Sequence, residues 1–242
     1  ENHTGAYVKI EDGYNAFCSY CIIPYVRGRV RSKAKEDVIS EVKTLVEDGY
    51  KEIVLTGIHT GKYGIDIGSS LEELLYDLVE IPGIYRIRLS SIEINEITPR
   101  IIELLKNNKV MAKHLHIPIQ SGSNKILKLM NRRYNKEEFL NMVSNLKEIE
   151  DISLTTDLIV GFPKEEENDF SETLNTLKEI GFTKIHTFPY SKRQGTPSAS
   201  MDGQVLPEIK KKRVHEIISL SNEYENNFYQ SKIDKVYDGV VE

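Results

Sequence analysis

Cys18 and Cys21 are the whole thiol inventory of the 242-residue chain. They stand three residues apart in Gly13-Tyr14-Asn15-Ala16-Phe17-Cys18-Ser19-Tyr20-Cys21-Ile22-Ile23-Pro24-Tyr25. Two such thiolates can grip one metal centre, because thiolate is the soft ligand that zinc and iron–sulfur clusters prefer. C-x-x-C by itself leaves the metal open. Zinc would need two further ligands, for which His59, His114, His116 and His186 are available. A thioredoxin-like redox pair would sit between a strand and a helix start rather than in a long aromatic loop. A disulfide framework would use a larger, even set of cysteines spread along the chain.

Rigid elements must hold such a loop, and apolar spacing predicts them. Tyr7 to Ile10 predicts a first strand, followed by the cysteine-bearing loop up to about Ser32. Val38, Val42, Leu45 and Val46 recur at helical spacing, and Gly49 lies where a glycine would stop the helix. Ile53 to Leu55 is a second strand; Leu71, Leu74, Leu75, Leu78 and Val79 mark a helix ended by Pro82-Gly83; Tyr85 to Leu89 is a third strand. Thr98-Pro99 reads as the cap and first residue of the helix carrying Ile101, Ile102, Leu104 and Leu105. His114 to Ile119 predicts the fourth strand, before helical stretches around 126–130 and 136–149 and a fifth strand from Ile152 to Val160. Phe170, Leu174, Leu177 and Ile180 share a helical face that Gly181 terminates, and Lys184 to Phe188 is the sixth strand. Pro207 opens a final helix, and Lys235 to Val241 predicts one more strand.

Strands alternating with helices predict an α/β single domain with a parallel sheet, either a partial barrel or a doubly wound sheet, which periodicity does not separate. In both, chemistry collects after the C-terminal ends of the strands. Those turns are rich in Gly and polar residues, as in Thr56-Gly-Ile-His-Thr-Gly61, Ser90-Ser-Ile-Glu93, Gln120-Ser-Gly-Ser123 and Gly161-Phe-Pro163. One such turn is ordinary, but the set favours a ligand-lined mouth. No apolar run approaches the ~20 residues of a membrane span, and 39% hydrophobic with 29% charged residues fits a globular chain rather than a disordered one. The opening residues carry no signal-peptide pattern, so the cytoplasm is the expected compartment. Thirty-two basic against 37 acidic residues give a net charge of -5, so nucleic-acid contact would have to be local. Arg27, Arg29, Arg31, Lys33 and Lys35 beside the cysteine loop are the candidates, whereas Lys210 to Arg213 is read as a solvated helix face.

The cysteine loop resembles the radical SAM superfamily, whose signature is C-x3-C-x2-C with an aromatic residue before the last cysteine. Within it the chain is similar to the tRNA methylthiotransferases, above all the type acting on the threonylcarbamoyladenosine next to the anticodon. The resemblance rests on Leu55-Thr-Gly-Ile-His-Thr-Gly-Lys-Tyr-Gly64, Arg86-Ile-Arg-Leu-Ser-Ser-Ile-Glu93, His116-Ile-Pro-Ile-Gln-Ser-Gly-Ser123, Thr156-Asp-Leu-Ile-Val-Gly-Phe-Pro163 and Phe188-Pro-Tyr-Ser-Lys-Arg-Gln-Gly-Thr-Pro197. It implies a partial (βα)6 radical SAM barrel over 1–234, with 235–242 opening a C-terminal RNA-binding module, and an N-terminal cluster-bearing domain outside this chain.

It further implies a [4Fe–4S] cluster and S-adenosyl-L-methionine, from which one electron releases a 5′-deoxyadenosyl radical. Cys18 and Cys21 match two cluster ligands, but Tyr14 stands at the third, so the resemblance implies a cluster that is absent, labile or incomplete. Tyr20 and Gly161 are expected near the adenine, Gly57 near the methionine amino group, Ser91 and Glu93 at ribose and amino groups, and Gln120, Ser121 and Arg132 at ribose and carboxylate. His59 is expected to be structural or substrate-facing. The implied partners are a tRNA anticodon stem-loop and a flavodoxin or ferredoxin as electron donor, with a monomeric chain and no membrane. Other readings are a cluster-free barrel that binds S-adenosylmethionine or RNA, a zinc-stabilised hydrolase, or methylthiolation of isopentenyladenosine or of a ribosomal protein.

Overall fold

The structure is a computed structural model that describes residues 5–237 and 239. In chain order its elements are β1 (Gly5–Lys9), β2 (Glu11–Asp12), α1 (Ile23–Arg27), β3 (Arg31–Ser32), α2 (Lys35–Glu47), β4 (Glu52–Thr56), α3 (Leu71–Val79), β5 (Arg86–Leu89), α4 (Pro99–Asn107), β6 (His114–His116), α5 (Asn124–Leu129), α6 (Lys136–Leu146), β7 (Ser153–Val160), α7 (Glu167–Ile180), β8 (Lys184–Pro189) and α8 (Pro207–Lys232). β1, β4 and β5 pair in parallel, as do β6, β7 and β8. Parallel bridges Ile87–Met111 and Ser91–His116 stitch the two triplets together, giving the order β1-β4-β5-β6-β7-β8. All six strands therefore point their C-terminal ends the same way.

Side-chain alternation sorts each strand into two faces. In β7, Leu154, Leu158 and Val160 are buried against helix residues such as Phe139 and Leu177, while Ser153, Thr155 and Asp157 turn to the half-exposed inner face. The same core takes in Val38 and Val42 of α2, Leu74, Leu75 and Leu78 of α3, and Ile217 of α8. Local signals agree with this packing. The Thr98 hydroxyl accepts from the Ile101 amide at the start of α4, Asn135 and Glu138 form a capping box on α6, and Gly181 ends α7 at φ 63°.

The structure departs from the spacing-based expectation in three places. The loop after β1 contains the β2–β3 antiparallel ladder and the short α1. Gly13 permits that ladder: at φ 93°, a Cβ there would lie 2.0 Å from the Arg29 carbonyl oxygen. The fourth strand is cut to His114–His116 because Pro118 has no N–H, and the Thr156 hydroxyl, not a backbone carbonyl, receives the Ile119 amide. Residues 235–237 are not strand, and most of the remainder of that expected element lies outside the described residues. Among the described residues no helix is long and apolar enough to cross a membrane.

Candidate active site

At the C-terminal ends of the strands, one guanidinium collects side chains from distant parts of the chain. Arg132, 3% exposed at its side chain, follows α5 and bonds the Glu93 carboxylate beyond β5. Its Nη1 also lies 3.3 Å from the Cys18 sulfur and 3.4 Å from the Tyr20 hydroxyl, and its Nε donates to the Tyr134 hydroxyl at 3.1 Å. Burial pushes the Glu93 carboxyl up, although the Arg132 charge pulls it down. Asn95, Asn131 and Arg133 complete the wall of this pocket with Ala16 and Cys18.

The cysteine loop is tied to the end of α5 more than to its own neighbours. The Ser19 amide and hydroxyl donate to the carbonyls of Met130 (3.0 Å) and Leu129 (2.7 Å), and Asn131 Nδ2 donates to the Phe17 carbonyl at 2.7 Å. Arg133 reaches the Asn15 carbonyl at 2.8 Å. Both thiols are free, Cys18 buried and Cys21 half-buried.

Tyr14 occupies the position where a third thiolate would complete a cluster cradle. Its hydroxyl lies 4.0 Å from the Cys18 sulfur, and its ring meets that of His59 at 4.8 Å. Burial, with Cys18 and Glu93 adding to it, pushes the phenol well above its usual range, which disfavours the phenolate a metal would need. Burial likewise raises the Cys21 thiol. Among the described residues no three His, Cys, Asp or Glu side chains gather as a metal-binding group. The donor set is thus one thiolate short of a three-cysteine cluster site; of the four histidines of the zinc reading, His114, His116 and His186 lie on β6 and β8, and His59 lines the pocket with Cys18 without forming a three-donor group among the described residues.

The remaining expected residues divide. Tyr20 packs its ring on Phe162 (6.3 Å, 80°), beside Gly161, so these two expected adenine contacts are neighbours. The Gln120 side-chain oxygen Oε1 is buried with no partner, on a residue at a left-handed φ of 63°. An acceptor left so is costly unless a ligand donor reaches it. Ser91 is exposed, and its carbonyl accepts the Thr60 hydroxyl. Ser121 is not brought to the mouth: it is 1% exposed and engaged with the Ser123 amide and the Thr173 hydroxyl.

The glycines of Thr56-Gly-Ile-His-Thr-Gly61 have a role the sequence did not reveal. A Cβ at Gly57 would lie 2.2 Å from a Glu11 oxygen, and one at Gly61 would lie 2.1 Å from a Glu96 oxygen, so both make room for buried carboxylates. Glu11 accepts the His59 amide, and burial pushes its carboxyl up. His59 is buried with Nε2 2.7 Å from Glu96, close in distance but not aligned as a hydrogen bond. His59 also lines the pocket beside Cys18 and Glu93, with both ring nitrogens lacking a hydrogen-bond partner.

Sequence reasoning also passed over the inner-face pair of His116 and Asp157, 3.2 Å apart, with the Thr155 hydroxyl on the other His116 nitrogen at 2.9 Å. Only the β6–β7 register reveals that pair. The cations of the basic stretch are largely paired: Arg27 and Arg31 with Asp12, Lys33 with Glu41, Lys35 with Asp77. In Lys210 to Arg213, Lys211 and Lys212 are exposed as the solvated reading expects, but the two ends of the run are engaged. Arg213 is buried on Glu165 at 2.7 Å, and Lys210 donates to the Tyr190 carbonyl at 3.0 Å.

Comparison with known proteins agrees with this geometry. The chain is 46% identical over 244 residues to the threonylcarbamoyladenosine tRNA methylthiotransferase MtaB of Bacillus subtilis (strain 168), covering 100% of this chain and 54% of that protein. It is 45% identical to a tRNA-2-methylthio-N(6)-dimethylallyladenosine synthase of Acetivibrio thermocellus, over 98% of this chain and 50% of that one. The chain therefore spans about half the length of these curated relatives. Among solved structures, the radical S-adenosylmethionine methyltransferase TsrM from Kitasatospora setae, with cobalamin and [4Fe-4S] cluster bound, shares the fold. It superposes with a TM-score of 0.66 at 15% identity, covering 80% of this chain and 38% of that one. Coproporphyrinogen III oxidase (HemN) from Escherichia coli gives 0.63 at 16% identity, covering 90% and 52%. The family model of the radical SAM superfamily matches residues 13–177, and with the parallel six-strand order and the cysteine loop at its mouth, the chain belongs to that superfamily.

Proposed function

We propose that the chain is the radical SAM portion of a tRNA methylthiotransferase acting on N6-threonylcarbamoyladenosine next to the anticodon. The observation that carries this reading is the meeting of Cys18, Tyr20 and Glu93 on the single buried guanidinium of Arg132. The chemistry of the mouth suits S-adenosylmethionine. Arg132 sets a buried positive charge in the pocket wall for its carboxylate, Glu93 and the unpartnered Gln120 side-chain oxygen offer acceptors to its ammonium and ribose hydroxyls, and Tyr20 with Gly161 offers a flat wall to its adenine.

In the superfamily an iron–sulfur cluster supplies the electron that cleaves the sulfonium bond. Here Cys18 and Cys21 would hold two of its irons and Tyr14 none, so the chain binds cluster incompletely and is impaired in radical formation. What its own residues do is bind and orient: Arg132 holds Glu93 and Tyr20 in place, and the Ser19, Asn131 and Arg133 contacts fix the loop. Identities of 46% and 45% to relatives named for the two adenosine substrates do not separate those substrates; the threonylcarbamoyl reading rests on the Gly57-Ile-His-Thr-Gly61 segment. The same reading carries a flavodoxin or ferredoxin as donor, a monomeric chain in the cytoplasm, and 235–242 as the start of a further RNA-binding module.

Equilibrium dialysis with S-adenosylmethionine, combined with anaerobic iron–sulfide reconstitution, tests this. The chain is expected to bind S-adenosylmethionine yet retain well under four irons, whereas Tyr14→Cys should retain about four and release 5′-deoxyadenosine on reduction. A chain without affinity for S-adenosylmethionine, or a Tyr14→Cys variant that holds no more iron than Tyr14, would refute it. Anticodon stem-loops bearing each modification then decide the substrate.

A further inference from the structure

At the opposite end of the barrel, where β5, β6 and β7 begin, lies a groove of about 750 Å3. That volume lies within the range of small-molecule sites. Although the chain as a whole is acidic, the groove is lined by Arg86, Arg88, Lys106, Lys109, Lys113 and Lys232 against Glu150 and Asp151. Some of this charge is spent inside the protein: Arg88 bonds Glu52, Lys113 caps the carbonyl end of α4, and Lys232 bonds Asp151. Lys106 and Lys109 are exposed, and the nearest carboxylate to Lys106, that of Glu148, is 3.8 Å away and itself 70% exposed.

Two rings in the same groove lie against Lys232. Lys232 lies 5.0 Å from the centre of the Phe228 ring and 4.8 Å from that of Tyr237, so both rings sit at one end of the groove. The wall adds a hydrogen-bonding preference. His116 Nδ1 and His114 Nε2 both lie within hydrogen-bond distance of the Thr155 hydroxyl, at 2.9 and 3.1 Å. That leaves Nδ1, the second ring nitrogen of His114, to find a partner of its own. That atom is buried and has no partner. Cations, flat rings and an orphan ring nitrogen together match phosphate, a heterocycle and a sugar hydroxyl.

We propose that the groove at the base of the barrel binds a free nucleotide. Lys106 and Lys109 meet its phosphates, Tyr237 and Phe228 its base, and a ribose hydroxyl, which can donate or accept, supplies the partner His114 Nδ1 lacks. The site is separated from the mouth by the length of β5 and its following turn, on the order of 20 Å at ~3.3 Å per residue. It is independent of the reading given above for the mouth.

Isothermal titration of the chain with AMP, ATP, inorganic phosphate and a short RNA oligonucleotide tests the proposal. AMP and ATP are expected to saturate, with affinity at least tenfold weaker in Lys106→Glu/Lys109→Glu and unchanged in the mouth variant Glu93→Gln. Tyr237→Ala should weaken AMP binding while leaving that of phosphate alone. The proposal is overturned if no nucleotide saturates at millimolar concentration or if binding follows Glu93→Gln instead of the lysines. It is equally overturned if phosphate binds as tightly as AMP, or if the oligonucleotide binds far more tightly than any mononucleotide.

Discussion

Replacing Arg213 by methionine should unfold the β7–α7 corner of the barrel far more readily than loss of a surface charge would. Arg213 and Glu165 are 5% and 2% exposed at their side chains and 2.7 Å apart, and the guanidinium also meets the Glu165 carbonyl at 3.2 Å. The Glu165 oxygen in turn accepts the Gly161 amide at 2.7 Å, so the pair holds the turn expected beside the adenine. Removing one partner leaves a buried carboxylate uncompensated, worth about 3–5 kcal/mol. At about 2–4 °C per kcal/mol for a chain of this size, the midpoint of thermal unfolding should fall by roughly 6–20 °C. Glu165→Gln/Arg213→Met removes the stranded charge while keeping an acceptor for Gly161, and should regain most of that loss.

The pH dependence has a definite sign. Burial raises the Glu165 carboxyl even with Arg213 present, and without Arg213 it rises further. A raised carboxyl stabilises the fold while it is protonated and loses that contribution as pH climbs through its folded value. The Arg213→Met deficit should therefore be larger near pH 8 than near pH 5. Circular dichroism melts of the unchanged chain, Arg213→Met, Glu165→Gln and the double variant at both pH values measure this. A deficit under about 1 kcal/mol, or a double variant that costs the sum of the singles, would refute the reasoning.

Gly57→Ala drives a methyl into the buried Glu11 carboxylate, and urea titration should show a loss of about 1–3 kcal/mol, largely relieved by Glu11→Ala in the same chain. Thr98→Ala removes the cap on α4 and should cost about 1 kcal/mol by the same measurement. His114 is held down to about 4 by burial, with Arg88 and His116 adding to it. It stays neutral in the fold while the unfolded chain takes up a proton, so stability should fall as pH drops from about 6.5 toward about 4, by at most about 3 kcal/mol. His114→Gln should flatten that slope in melts across the interval.

Regular elements were legible because each carried its own punctuation. Leu71, Leu74, Leu75 and Leu78 repeat at helical spacing, Thr98-Pro99 starts α4, and Gly181 ends α7, all without reference to the rest of the chain. The cysteine loop, Glu93 and Arg132 were found through a motif, and the structure unites them. What could not be read depends on contacts remote in sequence. The β2–β3 ladder pairs only two residues per strand, too few for periodicity. Arg213 looks solvated in a run of lysines until Glu165, 48 residues earlier, is placed against it. Gly57 and Gly61 read as turn residues because the carboxylates they accommodate, Glu11 and Glu96, lie on other segments.

The anchoring of the thiol-bearing segment to the far end of α5 has a mechanical consequence. Four of its contacts, from Ser19, Asn131 and Arg133, run to a part of the chain more than a hundred residues away, on the other triplet of strands. The relative spacing of Cys18 and Glu93 is thereby governed by how the two halves of the sheet are hinged at the β5–β6 seam, which few bridges hold. Anything that pries that seam apart would pull Glu93 off the Arg132 guanidinium and load the Ser19 anchors that keep Cys18 beside it. Amide exchange at Ser19 is then a sensitive gauge of whether the half-barrels are closed.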